Sequence, residues 1–325
     1  MNKLSIFVLK LLRKSYSKAF CIKPQSKPEC ILDADITSKL IYDRLMSEKP
    51  CMIARFGAFE LATMVNYLSV KRGPRPFIKY LKGEEMDWWW NEKLLHFMQS
   101  NAGFFPITIE KIEQFCNLMI SDIKELDLIG SWLENEKYFE KEIANCQKVD
   151  LELLNPYFSK IPWTTALENK KVLVVHPFAQ SIEKQYQKRA LLFENKNTLP
   201  AFELKTIQAI QTIGGGDETP YADWFSALDI MKNQMDKVDY DICLIGCGAY
   251  GFPLAAHAKR SGKKAVHMGG CLQLLFGIKG KRWEDPNYDK QYNYAKLMNE
   301  HWIKPDKTEK PKKAKNVEGG CYWMF

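Results

Sequence analysis

Between Asp241 and Gly270 the chain reads DICLIGCGAYGFPLAAHAKRSGKKAVHMGG. An apolar run from Ile242 to Ile245 meets a turn holding Gly246, Gly248 and Gly251. A helical pattern follows from Phe252 to Ser261, and a second apolar run, Ala265 to Met268, ends in Gly269-Gly270. This is the pattern of one βαβ unit, whose first turn spells G-x-G-x-x-G. Glycines there let a backbone approach a diphosphate, and the next helix offers free N–H groups and the positive end of its dipole. A dinucleotide site wants an Asp or Glu about 20 residues on, at the end of the second strand. That place reads Val266-His267-Met268-Gly269-Gly270, with no acid. The turn therefore reads first as a phosphate or nucleotide cradle, second as an NAD site; a tight βα turn that binds nothing has the same pattern.

The same alternation runs through the chain. Ile36 to Glu48 is helical, Pro50 stops it, and Cys51 to Phe56 reads as a buried strand. Gly57 turns into a helix from Ala58 to Leu68, and Trp88 to Ser100 and Ile107 to Glu125 are helical. Asp127 to Gly130 is a short strand, and Lys137 to Gln147 a further helix. Val172 to Val175 (VLVV) is a parallel-type strand running into His176-Pro177-Phe178, with a long helix from Gln180 to Leu192 behind it. Phe202 to Ile213 reads as a strand, Gly214 to Asp217 as a flexible loop, and Tyr221 to Met235 as a helix. Leu272 to Phe276 begins another helix, and Asn293 to Trp302 fits one more. Strands alternating with helices at these spacings predict an α/β fold with a Rossmann-like, doubly wound, mostly parallel sheet. At 325 residues one large domain suffices. The expected division is an amphipathic helix in 1–30, a single domain in 31–303 and a basic tail in 304–325.

Charge placement bears on partners. Lys3, Lys10, Arg13, Lys14 and Lys18 fall on one side of the first helix, with Leu4, Val8, Leu9, Leu11, Leu12, Tyr16 and Phe20 opposite. A cationic amphipathic helix suits an anionic membrane surface; a first helix docked on the core has the same pattern. Its apolar length is too short for a secretory signal. Lys304 to Lys315 lacks periodicity and reads as a solvated tail. No nucleic-acid module accompanies these charges, and no run of 18 apolar residues offers a membrane span. Nine scattered cysteines, without zinc spacing, read as reduced, buried thiols of a cytoplasmic protein.

Ligands in such sheets bind beyond the carboxyl ends of the strands. Those ends are Arg55-Phe56-Gly57, His176-Pro177-Phe178, Gly214 to Asp217, Gly246 to Gly251, and His267 to Gly270. Arg55, between a strand and a glycine turn, offers a planar fork for a diphosphate or carboxylate, or pairs with an acid of the next helix. Glu60 caps that helix, binds a metal or accepts sugar hydroxyls. His176, with Ser181 in the helix opening beyond it, suits a phosphate contact, a general base or neutralisation of a leaving diphosphate; a satisfied core histidine is the competing reading. Asp217, Glu218 and Asp223 flank a glycine loop; Asp217 suits a base on a mobile segment and Asp223 a helix cap. Trp88-Trp89-Trp90 cannot share one helix face, so at least one belongs to the core, leaving another for a sugar or membrane face.

At IARFGAFEL, Ile53 to Leu61, the chain resembles the N-terminal signature of the GT-D type glycosyltransferases, whose pattern runs close to ARFGDGE. The segments VLVVHPFAQSIEKQYQKR, LIGCGAYGFPLAAHAKRSGKKAVHMGG and LLFGIKGKRWE look like later blocks of GT-D-like bacterial polysaccharide proteins. The resemblance covers about Cys51 to Glu284 and implies transfer of a sugar from a nucleotide diphosphate sugar, expected to be UDP-linked, to a cell-surface glycan or lipid-linked acceptor. The family's Asp-x-Glu pair, thought to engage a divalent metal, matches Glu60 but has Ala58 at the Asp position. Weak or absent dependence on Mn²⁺ or Mg²⁺ is therefore expected, with Glu60 the metal candidate. The expected catalytic residues are Glu60, His176 and Asp217. The expected donor-binding residues are Arg55, Phe56, Gly57, Phe178, Ser181, Gly246, Gly248, Tyr250, Gly251 and Gly269. A cytoplasmic enzyme, peripheral on the inner face of the plasma membrane, is the expected setting. A nucleotide-sugar-binding protein that lost catalysis is the alternative that Ala58 keeps open.

Overall fold

The structure is a computed structural model that describes residues 2–21, 26–213, 219–310 and 322. Its helices are α1 (Lys3–Ala19), α2 (Ala34–Met46), α3 (Ala58–Arg72), α4 (Phe77–Leu81), α5 (Glu92–Ser100), α6 (Ile109–Asp122), α7 (Ala179–Tyr186), α8 (Arg189–Leu192), α9 (Trp224–Asp236), α10 (Gly251–Arg260), α11 (Leu272–Leu275) and α12 (Lys281–Glu284). The strands are β1 (Cys51–Ala54), β2 (Leu128–Ser131), β3 (Gln147–Asp150), β4 (Lys171–His176), β5 (Glu203–Gln208), β6 (Ile242–Ile245) and β7 (Lys264–His267). They form one sheet in the order β3-β2-β1-β7-β6-β4-β5, every pair parallel.

The middle positions of the central strands are apolar because both sheet faces are covered. Met52, Ala54, Leu173, Val175, Cys243 and Ile245 point into one core with α3, α6, α9 and α10. Their alternates Cys51, Ile53, Val172, Val174, Ile242 and Leu244 point into another with α2, α7 and α11. The period of two along each strand thus separates two layers of helices. Crossovers running one way along the sheet (β1 to β2, β5 to β6, β6 to β7) place their helices on the first face, and β4 to β5 runs the other way and uses the second. A single crossover handedness requires that. Chain leaving β1 and β6 therefore goes to one face, and chain leaving β7 and β4 to the other. The carboxyl ends of β1, β7 and β6 open into a crevice between them.

The α/β, doubly wound fold is as expected, with some elements different. Lys137 to Gln147 is not a helix: a 3-10 turn occupies Glu134–Phe139, and the unexpected edge strand β3 follows. Only Val149 of β3 is buried, so its sequence lacks the apolar signal of the inner strands. The helix expected over Gln180 to Leu192 breaks into α7 and α8. Asn293 to Trp302 carries a single 3-10 turn at Tyr294–Leu297. Helix α5 starts after the three tryptophans, where the Asn91 side chain accepts from Leu94 N. Trp89 packs with Tyr80 and Trp88 in a satellite cluster, and Trp90 packs against the main core. Asp223 is the N-cap of α9, accepting from Ser226 N at 2.7 Å while pairing with Lys111 at 2.6 Å. Eight described cysteines are free, four of them buried, whereas Cys21 is exposed. The stretch 304–310 is not a solvated tail, since Glu309 is buried and bonded to α7; residues 311–321 lie outside the described residues.

Candidate functional site

Arg55, Gly57, Ala58, Glu60, Trp132, Gly248, His267, Gly269 and Arg282 line one cleft at the carboxyl ends of β1, β7 and β6. It encloses about 170 Å³, which suits a diphosphate rather than a whole nucleotide sugar, because ligand pockets commonly span roughly 300–1,000 Å³. A nucleoside and sugar would extend past its rim.

Arg55 leaves the end of β1 with its guanidinium 5.1 Å over the Trp132 ring. Trp132 follows β2, and its indole N–H donates to Phe56 O at 3.1 Å. The carboxylate of buried Glu136 holds the same loop by accepting from Trp132 N at 2.9 Å and Leu133 N at 3.0 Å. Among the described residues no carboxylate forms an ion pair with Arg55. The expected alternative, pairing with an acid of the next helix, is not what the geometry shows. Behind Arg55, Glu152 accepts from the Tyr294 hydroxyl; burial pushes its carboxyl up, and Tyr294 and Arg55 oppose that.

Gly57 is the N-cap of α3 and offers no side-chain cap. The Glu60 carboxylate folds back beside it, since a Cβ on Gly57 would lie 2.0 Å from Glu60 Oε2. That position stabilises a helix N-terminus. Among the described residues Glu60 is the one carboxylate lining the cleft. Among the described residues no three His, Cys, Asp or Glu side chains are grouped to hold a metal. Among the described residues the cleft thus offers one carboxylate rather than a pair.

The glycines of the β6 turn do different work. Gly246 lets three segments meet, as a Cβ there would lie 2.6 Å from Gly269 O and 2.7 Å from His176 Cδ2. Gly251 admits the His267 ring, 2.1 Å from where a Cβ would stand. Close packing therefore accounts for both. Only Gly248, in the left-handed region at φ +58, reaches the cleft.

His267 ends β7 and borders the cleft, with Nδ1 3.2 Å from Ile245 O. A carbonyl only accepts, so Nδ1 carries the proton and Nε2 is an acceptor. Burial, and then the Arg55 cation, lower its pKa to about 3, so the ring is neutral at pH 7.

The end of β4 has another environment. His176 is buried, accepts from Phe178 N at 3.0 Å through Nδ1, and burial lowers its pKa to about 3. The N-terminus of α7 meets Glu309, whose carboxylate accepts from Gln180 N at 2.8 Å, Ser181 N at 3.2 Å and the Ser181 hydroxyl. A carboxylate of the chain itself occupies that anion position.

Of the expected residues, Arg55, Gly57, Glu60, Gly248 and Gly269 are brought together. His176, Phe178 and Ser181 surround the separate end of β4, and Phe56, Gly246 and Gly251 lie in the packing behind the cleft. Tyr250 is buried with its ring stacked on Trp224 at 4.8 Å and its hydroxyl 3.0 Å from that of Thr212. Asp217 lies outside the described residues. The cleft also contains His267, Trp132 and Arg282, none of them among the expected site residues. His267 and Trp132 carried a signal, each standing at or just past the carboxyl end of a strand. Nothing in the local sequence points to Arg282, which the chain beyond α11 carries back to the cleft.

No protein-family model matches the chain, and no curated protein is similar to it. Two solved structures are similar. One is a selenomethionine-substituted domain of unknown function 1792, at 12% identity and TM-score 0.34. The other is a structure of that domain described as having a distinct glycosyltransferase fold, at 12% identity and TM-score 0.33. Each similarity covers 91% of this chain and 98% of the other. Scores this low place neither a ligand nor a reaction in this cleft.

Proposed function

We propose that the chain is a glycosyltransferase that holds the diphosphate of a nucleotide diphosphate sugar, UDP-linked, in the β1/β7/β6 cleft. The observation that carries this reading is Arg55, a guanidinium set on Trp132 in a cleft with no ion-pair partner among the described residues. A rigid planar cation in that position suits the paired oxygens of a diphosphate, and Arg282 adds a second. As the bond between the anomeric carbon and the diphosphate oxygen breaks, negative charge grows on the leaving group. Cations already oriented at that point lower the barrier. The acceptor hydroxyl, on a cell-surface glycan or lipid-linked acceptor, attacks the anomeric carbon, and its proton passes to a carboxylate, for which Glu60 and Asp217 are the candidates. Among the described residues Mn²⁺ or Mg²⁺ would find only Glu60 in the cleft, so arginine is assigned the larger share of charge neutralisation.

Ala58, with a single cleft carboxylate among the described residues, favours one second reading, a nucleotide-sugar-binding protein without catalysis. A nicotinamide dinucleotide is disfavoured because β7 ends in His267 rather than an acid. Thermal shifts with UDP, GDP and NAD, each with Mn²⁺ and with chelator, separate these readings through ligand linkage. Stabilisation by UDP that survives chelation, together with sugar release from the donor, is expected. UDP binding without turnover selects the second reading, and a shift with NAD alone overturns both.

A further inference from the structure

We propose that the outward face of α1, with the adjoining α4, docks on the surface of an anionic lipid bilayer. Helix α1 does not join either main core. Ile6, Leu9 and Tyr16 pack on the Tyr80–Leu81–Trp89 cluster. Arg13 lies 4.7 Å over the Tyr80 ring and donates to Glu85 O at 3.3 Å, and Lys10 pairs with Asp87 at 3.7 Å. That stripe fixes the helix to the protein. The opposite stripe, Leu4, Phe7, Val8, Leu11 and Leu12, is 43–72% exposed. A helix whose task ended with covering the Tyr80 cluster would carry polar residues there. On α4, which packs on the inward side of α1, Phe77 and Ile78 are also 46% and 50% exposed, and exposed apolar groups of this kind mark interaction sites.

Charge selects the occupant. Helix α1 carries Lys3, Lys10, Arg13, Lys14 and Lys18 and no acidic residue. Lys14 and Lys18 are exposed and form no ion pair among the described residues, and Arg75, Lys79 and Lys82 are exposed around α4. Leucine and phenylalanine on the first turns of the outward face, continued by Lys14 and Lys18 on its last turns, form a pattern that suits a helix lying in a headgroup layer. The lysines then meet anionic lipids at the height where the apolar side chains enter the acyl boundary. A second copy of the same face would oppose like charges across a two-fold contact. No described helix is long and apolar enough to cross a membrane, so the contact is interfacial.

The test is co-sedimentation of the full chain with vesicles of phosphatidylcholine alone or containing phosphatidylglycerol. Binding to the anionic vesicles that weakens with salt is expected. Each lysine near an anionic surface contributes about fivefold to partition, so K14Q/K18Q should bind about 25-fold more weakly. F7Q/L11Q should lose about tenfold or more while keeping the wild-type melting temperature, because both side chains are exposed. Equal partition to neutral and anionic vesicles, or unchanged binding of F7Q/L11Q, overturns the proposal. So does a dimer in sedimentation equilibrium that F7Q/L11Q dissociates and vesicles do not bind.

Discussion

The ends of β1 and β4 look alike in sequence, each an apolar strand running into a basic or imidazole side chain and then a helix, yet they meet charge in opposite ways. At β4 the helix N-terminus takes the Glu309 carboxylate, and His176 is buried and neutral. At β1 the guanidinium of Arg55 rests on Trp132 at an open cleft. A strand end becomes a binding site when the rest of the chain leaves its charge unanswered. Arg55→Ala breaks this contrast most severely. We expect sugar transfer to fall about 100- to 1,000-fold, or about 3–4 kcal/mol of lost charge stabilisation, with the melting temperature nearly unchanged. Steady-state kinetics beside a thermal melt check it. Wild-type turnover in Arg55→Ala would remove the basis for calling the β1 end functional.

What was legible before the fold follows the same physics. The inner strands β1, β4, β6 and β7 were legible because both faces are buried, so apart from Lys171, His176, Lys264 and His267 at strand ends their positions are apolar. Edge strand β3 was not, since Val149 alone needs to be. Arg55, Gly57 and Glu60 were readable because one strand–turn–helix places all three. Arg282 was not, as it reaches the cleft from far along the chain. The filling of the α7 N-terminus was equally hidden: Glu309 lies 128 residues from Ser181, in a segment whose composition reads as a tail. Local pattern reports which groups stand at a strand end, and distant chain decides whether they remain available.

Glu309→Ala tests the closed end. It leaves Gln180 N, Ser181 N and the Ser181 hydroxyl without their acceptor, two of these groups within a buried contact. A lost helix cap and unsatisfied buried donors together cost about 2 kcal/mol, or about 4 °C in melting temperature. Nucleotide affinity should stay within about twofold, because this end is built for stability. Urea unfolding and calorimetric titration of the same variant separate the two effects. A large loss of affinity with little loss of stability would make the two strand ends one site.

The smallest expected effect distinguishes the two buried histidines. His176 and His267 both have pKa values lowered to about 3, by burial in each case and additionally by Arg55 for His267. In the unfolded chain a histidine titrates near 6.5. Below that pH the unfolded chain takes protons that the folded chain refuses, so stability is complete above about 6.5 and declines towards 3. The slope approaches about 1.4 kcal/mol per pH unit for each ring. His176→Asn and His267→Asn should each remove the share of that decline, between neutral and mildly acidic solution, carried by its own ring, while Asp122, whose carboxyl burial raises to about 6, contributes with the opposite sign in both variants. A bound diphosphate should act on one ring only: its negative charge beside His267 favours the imidazolium and flattens that ring's share of the slope, while His176 keeps its share. Urea melts of both variants at the two pH values, with and without saturating diphosphate, read this out. An equal response of both rings to the ligand would place the anion where His176 also feels it, and the division between an open and a closed strand end would fail at the ligand itself.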